Sequence, residues 1–323
     1  MKRWPGFREC DAFFSAMRLA GLVVAMLGVS APVALAQMGD GPRAYQLLPK
    51  DTRAISQFYI GTRGNLAPSE GSVIQGANID VDLGLTQFSQ TFGLNGNQAG
   101  VLAFIPYGRA SGSLGLGGAT VSGSDNGLGD LTLGFVYGFL NAPNLSREAY
   151  VKHDPGLTMS ALARLTLPTG SYSANRNLNL GGNRWVLELG LPVSYYLGRS
   201  FLDPSLMTFE IQPKVTIFGD NTDAIGATQV LSQDAIYSVE AHVTRNFGQA
   251  FWASLDAFYA YGGETQNDGV AANNRQRSLS LGVTGNLTLS EAMSIKLTYG
   301  EVVSGNAAGA DGRAVRAQFL YLF

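Results

Sequence analysis

Apolar and polar residues alternate along this chain in long runs, almost to its last residue. Successive side chains of a strand point to opposite faces, so each run makes a ribbon with one oily and one wet side. In AIYSVEAHVTRNF, Tyr237, Val239, Ala241 and Val243 fall on one face, and Ser238, Glu240, His242 and Thr244 on the other. RSLSLGVTGNLTL sets Leu279, Leu281, Val283, Leu287 and Leu289 against Ser278, Ser280, Thr284, Asn286 and Thr288. MSIKLTY and MTFEIQPKVTI repeat the pattern. The second contains Pro213, which lacks a ladder donor and predicts a bulge or local distortion.

Twelve such segments lie near 53–63, 76–90, 98–111, 127–141, 156–168, 184–197, 205–219, 233–246, 250–263, 275–288, 293–304 and 312–323. Each meets or slightly exceeds the ~9–11 residues that a tilted transmembrane strand requires. The connections alternate as well. TFGLNGN, GRSFLD, FGQ and SEA are short, whereas GNLAPSEGSVIQ, PTGSYSANRNLNLGG, DNTDAIGATQVLS and GETQNDGVAANN are longer and polar. Short turns at one end and long loops at the other are the plan of an outer-membrane barrel. NAPNLSREAYVKHDPG breaks the rule, being long at the short-turn end, and has room for a helical turn.

A water-soluble β-sandwich also alternates, but its turns recur every ~8–12 residues. Here they recur at about twice that spacing. Aromatics gather near strand ends, as interfacial girdles require: Trp185, Tyr195, Tyr196, Phe247, Phe251, Tyr259, Tyr261 and Tyr299. The polar faces carry scattered single charges, which a watery lumen accommodates and a lipid face does not. An open sheet edge cannot sit in hydrocarbon, so the sheet must close. The predicted fold is all-β: a transmembrane antiparallel up-and-down β-barrel of about twelve strands.

Composition agrees. Charged residues are only 14% of the chain, below the ~25% usual in soluble domains. The 22 basic and 24 acidic residues balance, which gives no footprint for nucleic acid. The one cysteine, Cys10, lies in the N-terminal segment, so a cysteine nucleophile or Cys-ligated zinc is not expected beyond it. That segment reads as an address. The apolar run Leu19–Val29 is too short to span a bilayer, and Ala34–Ala36 is a small-x-small cleavage site. Residues 1–36 are expected to be a signal peptide and 37–323 a single barrel domain; Met17 is an alternative start. Export to the bacterial outer membrane follows.

The chain also resembles the outer-membrane proteins labelled "meta-pathway of phenol degradation", which are described as transporters. The resemblance is carried by GLGDLTLGF (127–135), LPTGSYSANRNLNLGGNRWVLELGLPVSYYLG (167–198), FGDNTD (218–223), QDAIYSVEAHVTRNFGQAFWASLDAFYAYGGETQNDG (233–269) and the closing hairpin. It implies an outer-membrane barrel for uptake of small, aromatic or other organic compounds, and it implies no catalytic residues. LELGLP departs from a Lys-Pro-Glu pattern of that family, although Glu188 keeps the acid.

The residues expected to line the lumen and set selectivity are Arg164, Glu188, Glu210, Lys214, Glu240, His242, Asp256, Lys296 and Arg316. Trp252 falls on the lumen register near the short-turn end and is the better aromatic ligand candidate, while Trp185 reads as a lipid-facing anchor. His242, Glu240 and Asp256 share one neighbourhood and raise a metal or triad reading. Beyond the leader only His153 and His242 are available, so a multi-histidine zinc site is not expected. No metal, cofactor or catalytic residue is assigned. GLGD is followed by a strand pattern and lacks the helix a phosphate loop needs; TDAIG and NDG are read as turns rather than calcium loops.

Val315, Ala317, Phe319, Tyr321 and Phe323 form one apolar face that runs to the final residue. The last strand must pair with the first, and Phe319, Tyr321 and Phe323 resemble the signal read by the outer-membrane assembly machinery. Expected partners are outer-membrane lipid, that machinery and a small-molecule solute, with no nucleic acid. Two functions compete: passive uptake of small organic solutes through a narrow polar lumen, and a closed structural or surface-binding barrel. An outer-membrane enzyme centred on His242 is a third, minor reading.

Overall fold

The computed structural model describes residues 39–323 apart from 69, 70, 72, 117 and 118. The expected leader, residues 1–36, lies outside the described residues. The wall consists of twelve antiparallel strands: β1 (Arg53–Gly64), β2 (Ala77–Leu94), β3 (Asn97–Leu116), β4 (Ala119–Leu128 and Thr132–Leu140), β5 (Leu157–Thr166) and β6 (Val186–Gly190 and Val193–Leu197). Then follow β7 (Met207–Phe218), β8 (Ile236–Asn246), β9 (Phe251–Gly262), β10 (Gln276–Thr288), β11 (Met293–Gly305) and β12 (Gly312–Leu322). Each strand pairs with its neighbours in sequence. β12 then pairs with β1 over Ala54↔Leu322 to Gly64↔Gly312, which closes the barrel.

All twelve segments read from the alternation are strands, and their parity is the observed one. On β8, Ser238, Glu240, His242 and Thr244 are buried inside, while Tyr237 is 60% exposed on the outside. The exterior is oily from Phe88 and Leu133 through Ile211 and Leu255 to Leu297 and Phe319, apart from a patch on β1–β3, where the outer face carries Arg63, Asp80, Asp82 and Arg109 in ion pairs. A water-soluble monomer rarely exposes more than a few hundred Å² of contiguous apolar surface. A lipid-facing wall explains the oily outside of β4–β12 and the polar inside of β5–β12.

Three features depart from the plain pattern. First, β7 runs unbroken through Pro213, which stands opposite Val239. The interruption falls instead on neighbouring β6, at Leu191 and Pro192, where Leu191 N–H donates to the Pro213 carbonyl at 3.0 Å. Proline removes a donor, and here the sheet yields at the strand that has its own proline beside the gap. Second, β2 and β3 have 18 and 20 residues, roughly twice a membrane-crossing strand. Third, the inward face of β1–β3 is apolar: Phe58, Ile60, Val81, Leu83, Leu85 and Phe104 are buried there. Leu178 and Leu180, from the long loop after β5, pack into this cluster. The lumen therefore has one oily wall and one charged wall.

At the short-turn end, Asn95 and Gly96 adopt positive φ (51° and 83°) in the two-residue turn joining β2 to β3. Left-handed values at both central residues fit the right-handed twist of a hairpin. The irregular connection after β4 does hold a helix, α1 (Arg147–Lys152), and Ser146 caps it by accepting from Ala149 N–H at 3.3 Å. Tyr150 of α1 stacks on Phe201 at 4.9 Å, with Tyr196 edge-on to the same ring. This aromatic cluster is buried together with Leu47 and Leu206 near the short-turn end.

Candidate functional site

The charged wall is built by parity. Inward positions of β5–β9, β11 and β12 bring Arg164, Glu188, Glu210, Lys214, Glu240, His242, Asp256, Lys296 and Arg316 to one belt. Trp252 is buried at the same level. All ten lumen candidates point inward. Phe319, Tyr321 and Phe323 point outward, with Tyr321 and Phe323 stacked at 6.1 Å.

What holds the belt together is a segment to which the alternation assigned nothing. Residues 39–50 precede β1 and run inside the barrel. Asp40 is fully enclosed. Its carboxylate accepts from Arg164 Nη1 at 2.8 Å, Arg164 Nη2 at 3.1 Å, Lys214 Nζ at 2.8 Å and the Tyr45 hydroxyl at 2.6 Å. Lys214 also pairs with Glu240, and Arg164 with Glu188 opposite it on β6. Burial alone would raise the Asp40 carboxyl, but the Arg164 and Lys214 cations beside it hold it well below the usual carboxylate range.

The backbone of the segment is satisfied by wall carboxylates. Asp40 N–H and Gly41 N–H donate to Glu240 Oε2 at 2.6 and 3.1 Å. Arg43 N–H reaches both oxygens of Glu210, at 3.0 and 2.9 Å. Lys296 Nζ donates to the Pro42 carbonyl at 3.3 Å, and Arg316 Nη1 to the Gly39 carbonyl at 2.9 Å. Gly39 and Gly41 have φ of 58° and 92°, and a Cβ would run into the Glu240 carboxyl at the first and the Arg316 guanidinium at the second. Only glycine lets the backbone come this close. Further down, Leu48 exchanges bonds with the Gln98 amide, and the Leu47 carbonyl accepts from the Tyr150 hydroxyl at 2.9 Å. The segment is thus a plug that crosses the lumen from the charged belt to α1.

The acids and bases of the belt pair selectively. Arg164–Glu188 is present. Glu210 and Lys214 do not pair with each other, because the plug supplies Arg43 N–H to one and Asp40 to the other. Trp252 faces the lumen, but Arg43 and Lys296 lie over its ring at 5.2 and 5.6 Å. The plug therefore covers the ring face that a ligand would stack on. His242 Nδ1 lies 2.8 Å from Asp256 Oδ1, and Nε2 lies 3.3 Å from Glu240 Oε2. A hydrolytic triad needs one imidazole nitrogen facing a hydroxyl nucleophile. Here both face carboxylates, and the nearby Ser254 and Thr284 hydroxyls donate to Asp256.

Two acids organise the long outer loops. Asp130, in GLGD, accepts from Gly170 N–H and Gly182 N–H, each at 2.7 Å, and so ties down both ends of the loop after β5. Asp268, in NDG, accepts from Gln229 and Val230 N–H groups and clips two loops together. The segment 39–50 is the part of this arrangement that strand periodicity missed. Its available signal was the run GDGPRAYQ, which puts charges of both signs between flexible residues directly before the first strand.

The fold is similar to that of a solved structure. An outer membrane channel from Pseudomonas putida F1 superimposes with a TM-score of 0.72 at 21% identity, over 87% of this chain and 99% of that one. The β domain of the Bordetella autotransporter BrkA matches at TM-score 0.48 and 10% identity, over 85% and 100% of the two chains. The NanC porin matches at 0.42 and 12%, over 82% and 98%. No curated protein matches the sequence. A family model described as "Putative MetA-pathway of phenol degradation" matches residues 63–317. That span takes in every wall strand in whole or in part, and the chain belongs to this family.

Proposed function

We propose that the protein is a channel of the bacterial outer membrane that lets small organic solutes diffuse passively down their gradient. In this reading the segment 39–50 is a displaceable plug. The supporting observation is how that segment is held. Near the belt its contacts are hydrogen bonds and ion pairs to a polar wall, which water and solute groups can replace. The charges that line the route, Arg164, Glu188, Glu210, Lys214, Glu240, His242, Asp256, Lys296 and Arg316, would set selectivity once it moves. Export by a cleavable leader and insertion by the outer-membrane assembly machinery complete the reading.

The occlusion itself favours a second reading, a closed structural barrel. Swelling of proteoliposomes in isosmotic solutions of small uncharged solutes separates the two. A channel swells them at rates that fall with solute size. Liposomes that stay sealed to every solute down to glycerol would leave the closed barrel.

A further inference from the structure

The wall around Asp40 holds that residue as a receptor holds a ligand. Three successive groups of the plug each meet a different part of the wall. The Gly39 carbonyl accepts from Arg316 Nη1 at 2.9 Å. The Asp40 N–H donates to Glu240 Oε2 at 2.6 Å. The Asp40 carboxylate accepts from Arg164 Nη1 and Nη2 at 2.8 and 3.1 Å and from Lys214 Nζ at 2.8 Å. All four wall side chains are buried. Together they read an acyl oxygen, an amide N–H and, two carbons further on, a carboxylate. We infer that the belt is a binding site for a small N-acyl amino acid of that spacing, and that the plug occupies it as an internal stand-in for the solute. The inference rests on the displaceable plug proposed above and adds the chemical class that displaces it.

Charge selects first. Around Asp40 the cations Arg164, Lys214 and Arg316 stand against the acids Glu188 and Glu240, which leaves a single positive charge for Asp40 to cancel. A monoanion does the same. A cation is repelled, and an uncharged molecule leaves a buried charge without its counterpart. The two guanidinium N–H groups of Arg164 meet the two carboxylate oxygens in parallel, a geometry that fixes the orientation of the acid. The amide N–H selects next. A carboxylate that lacks it leaves Glu240 Oε2 without the bond that Asp40 now supplies, a loss of about tenfold in affinity. Shape selects last. Gly39 has a φ of 58°, and a Cβ on it would run into the Glu240 carboxyl, so the acyl group must be unbranched at that carbon.

Solute and plug exclude each other, because the Asp40 carboxylate fills the place that the solute carboxylate takes. A ligand that binds only the unplugged belt raises the ratio of unplugged to plugged protein by a factor of one plus its concentration over its dissociation constant. The solute thereby opens its own route.

The probe is N-acetyl-β-alanine, which reproduces the atoms from the Gly39 α-carbon to the Asp40 carboxylate. Plug release is read on the purified full chain in detergent as the rate at which a maleimide labels Ala44→Cys, with Cys10→Ser removing the one native thiol. Ala44 is 1% exposed, so labelling requires release. N-acetyl-β-alanine should raise the rate saturably, and propionate, which lacks the amide, should need about tenfold more. The uncharged N-acetyl-β-alaninamide, the branched N-pivaloyl-β-alanine and sodium chloride at equal ionic strength should leave the rate unchanged. Asp40→Asn removes the competing anion and should lower the half-saturating concentration of N-acetyl-β-alanine at least tenfold, with the heat-dependent gel shift confirming a folded barrel. No acceleration in either the parent chain or Asp40→Asn, or equal acceleration by the uncharged amide, would overturn the inference. Swelling and bilayer assays on the same preparations keep the two claims apart. Labelling that rises with the probe while the barrel stays sealed to solutes and ions rejects the channel alone, and glycerol flux with labelling indifferent to the probe rejects the site alone.

Discussion

At the scale of single residues, Asp40 matters most. It is a buried anion between two buried cations, and removing one member of such a set typically costs ~3–5 kcal/mol because the others are left uncompensated. Asp40→Ala should therefore loosen the plug and raise single-channel conductance in planar bilayers, with the barrel still folded. Asp40 also predicts a pH response. Its carboxyl is depressed in the folded protein relative to the ordinary value of 3.8. The stabilisation is then complete above that value and is lost as pH falls further. Through Asp40, conductance should stay flat from neutral pH down to about pH 5 and rise only in strong acid. All ten lumen candidates on the wall were legible in the sequence, because a period of two assigns each to a face. Asp40 and Arg43 were not, since they lie outside any strand and no period places them.

At the scale of elements, the closing strand and the clamped loop behave differently. β12 ends the chain and pairs with β1 along its whole length, and Phe323 N–H donates to the Arg53 carbonyl at 3.0 Å. Deleting Phe323 removes little packing, since the residue is exposed on the outer wall. It should nonetheless lower the amount of barrel in the outer membrane by immunoblot of fractionated cells, if Phe323 is part of the assembly signal. Normal levels would show that it is not. Asp130 holds the loop after β5 through charge-assisted bonds of the kind worth ~1.5–3 kcal/mol each. Asp130→Ala should expose that loop, and cleavage between 167 and 185 by protease added to intact cells should increase. Strand positions were readable to within a few residues except in the hairpin of β3 and β4, which runs on to Leu116 and resumes at Ala119 where the alternation was read only to 111 and from 127. The break in β6 was not, because a proline shows where a donor is missing but not which of two adjacent strands will yield. The apolar inner wall of β1–β3 also escaped notice. Its strands alternate like the others, and only the docking of Leu178 and Leu180 shows that their oily face turns inward.

At the scale of the whole molecule, the barrel turns a soluble protein inside out. Its stability depends on which face a charge is placed. Leu281 lies mid-strand on the outer face of β10. Leu281→Arg should cost ~2–4 kcal/mol and deplete the folded, heat-modifiable form on gels. Within that shell the lumen holds a charged belt threaded by the plug, with an aromatic cluster near the short-turn end. In the proposed channel the plug, not the wall, closes the route. Planar-bilayer conductance of the protein with residues 39–48 removed tests it most directly, beside the full chain and with the gel shift confirming a folded barrel. A several-fold larger conductance than that of the full chain is expected. A folded barrel lacking those residues yet conducting no better than the full chain would contradict it.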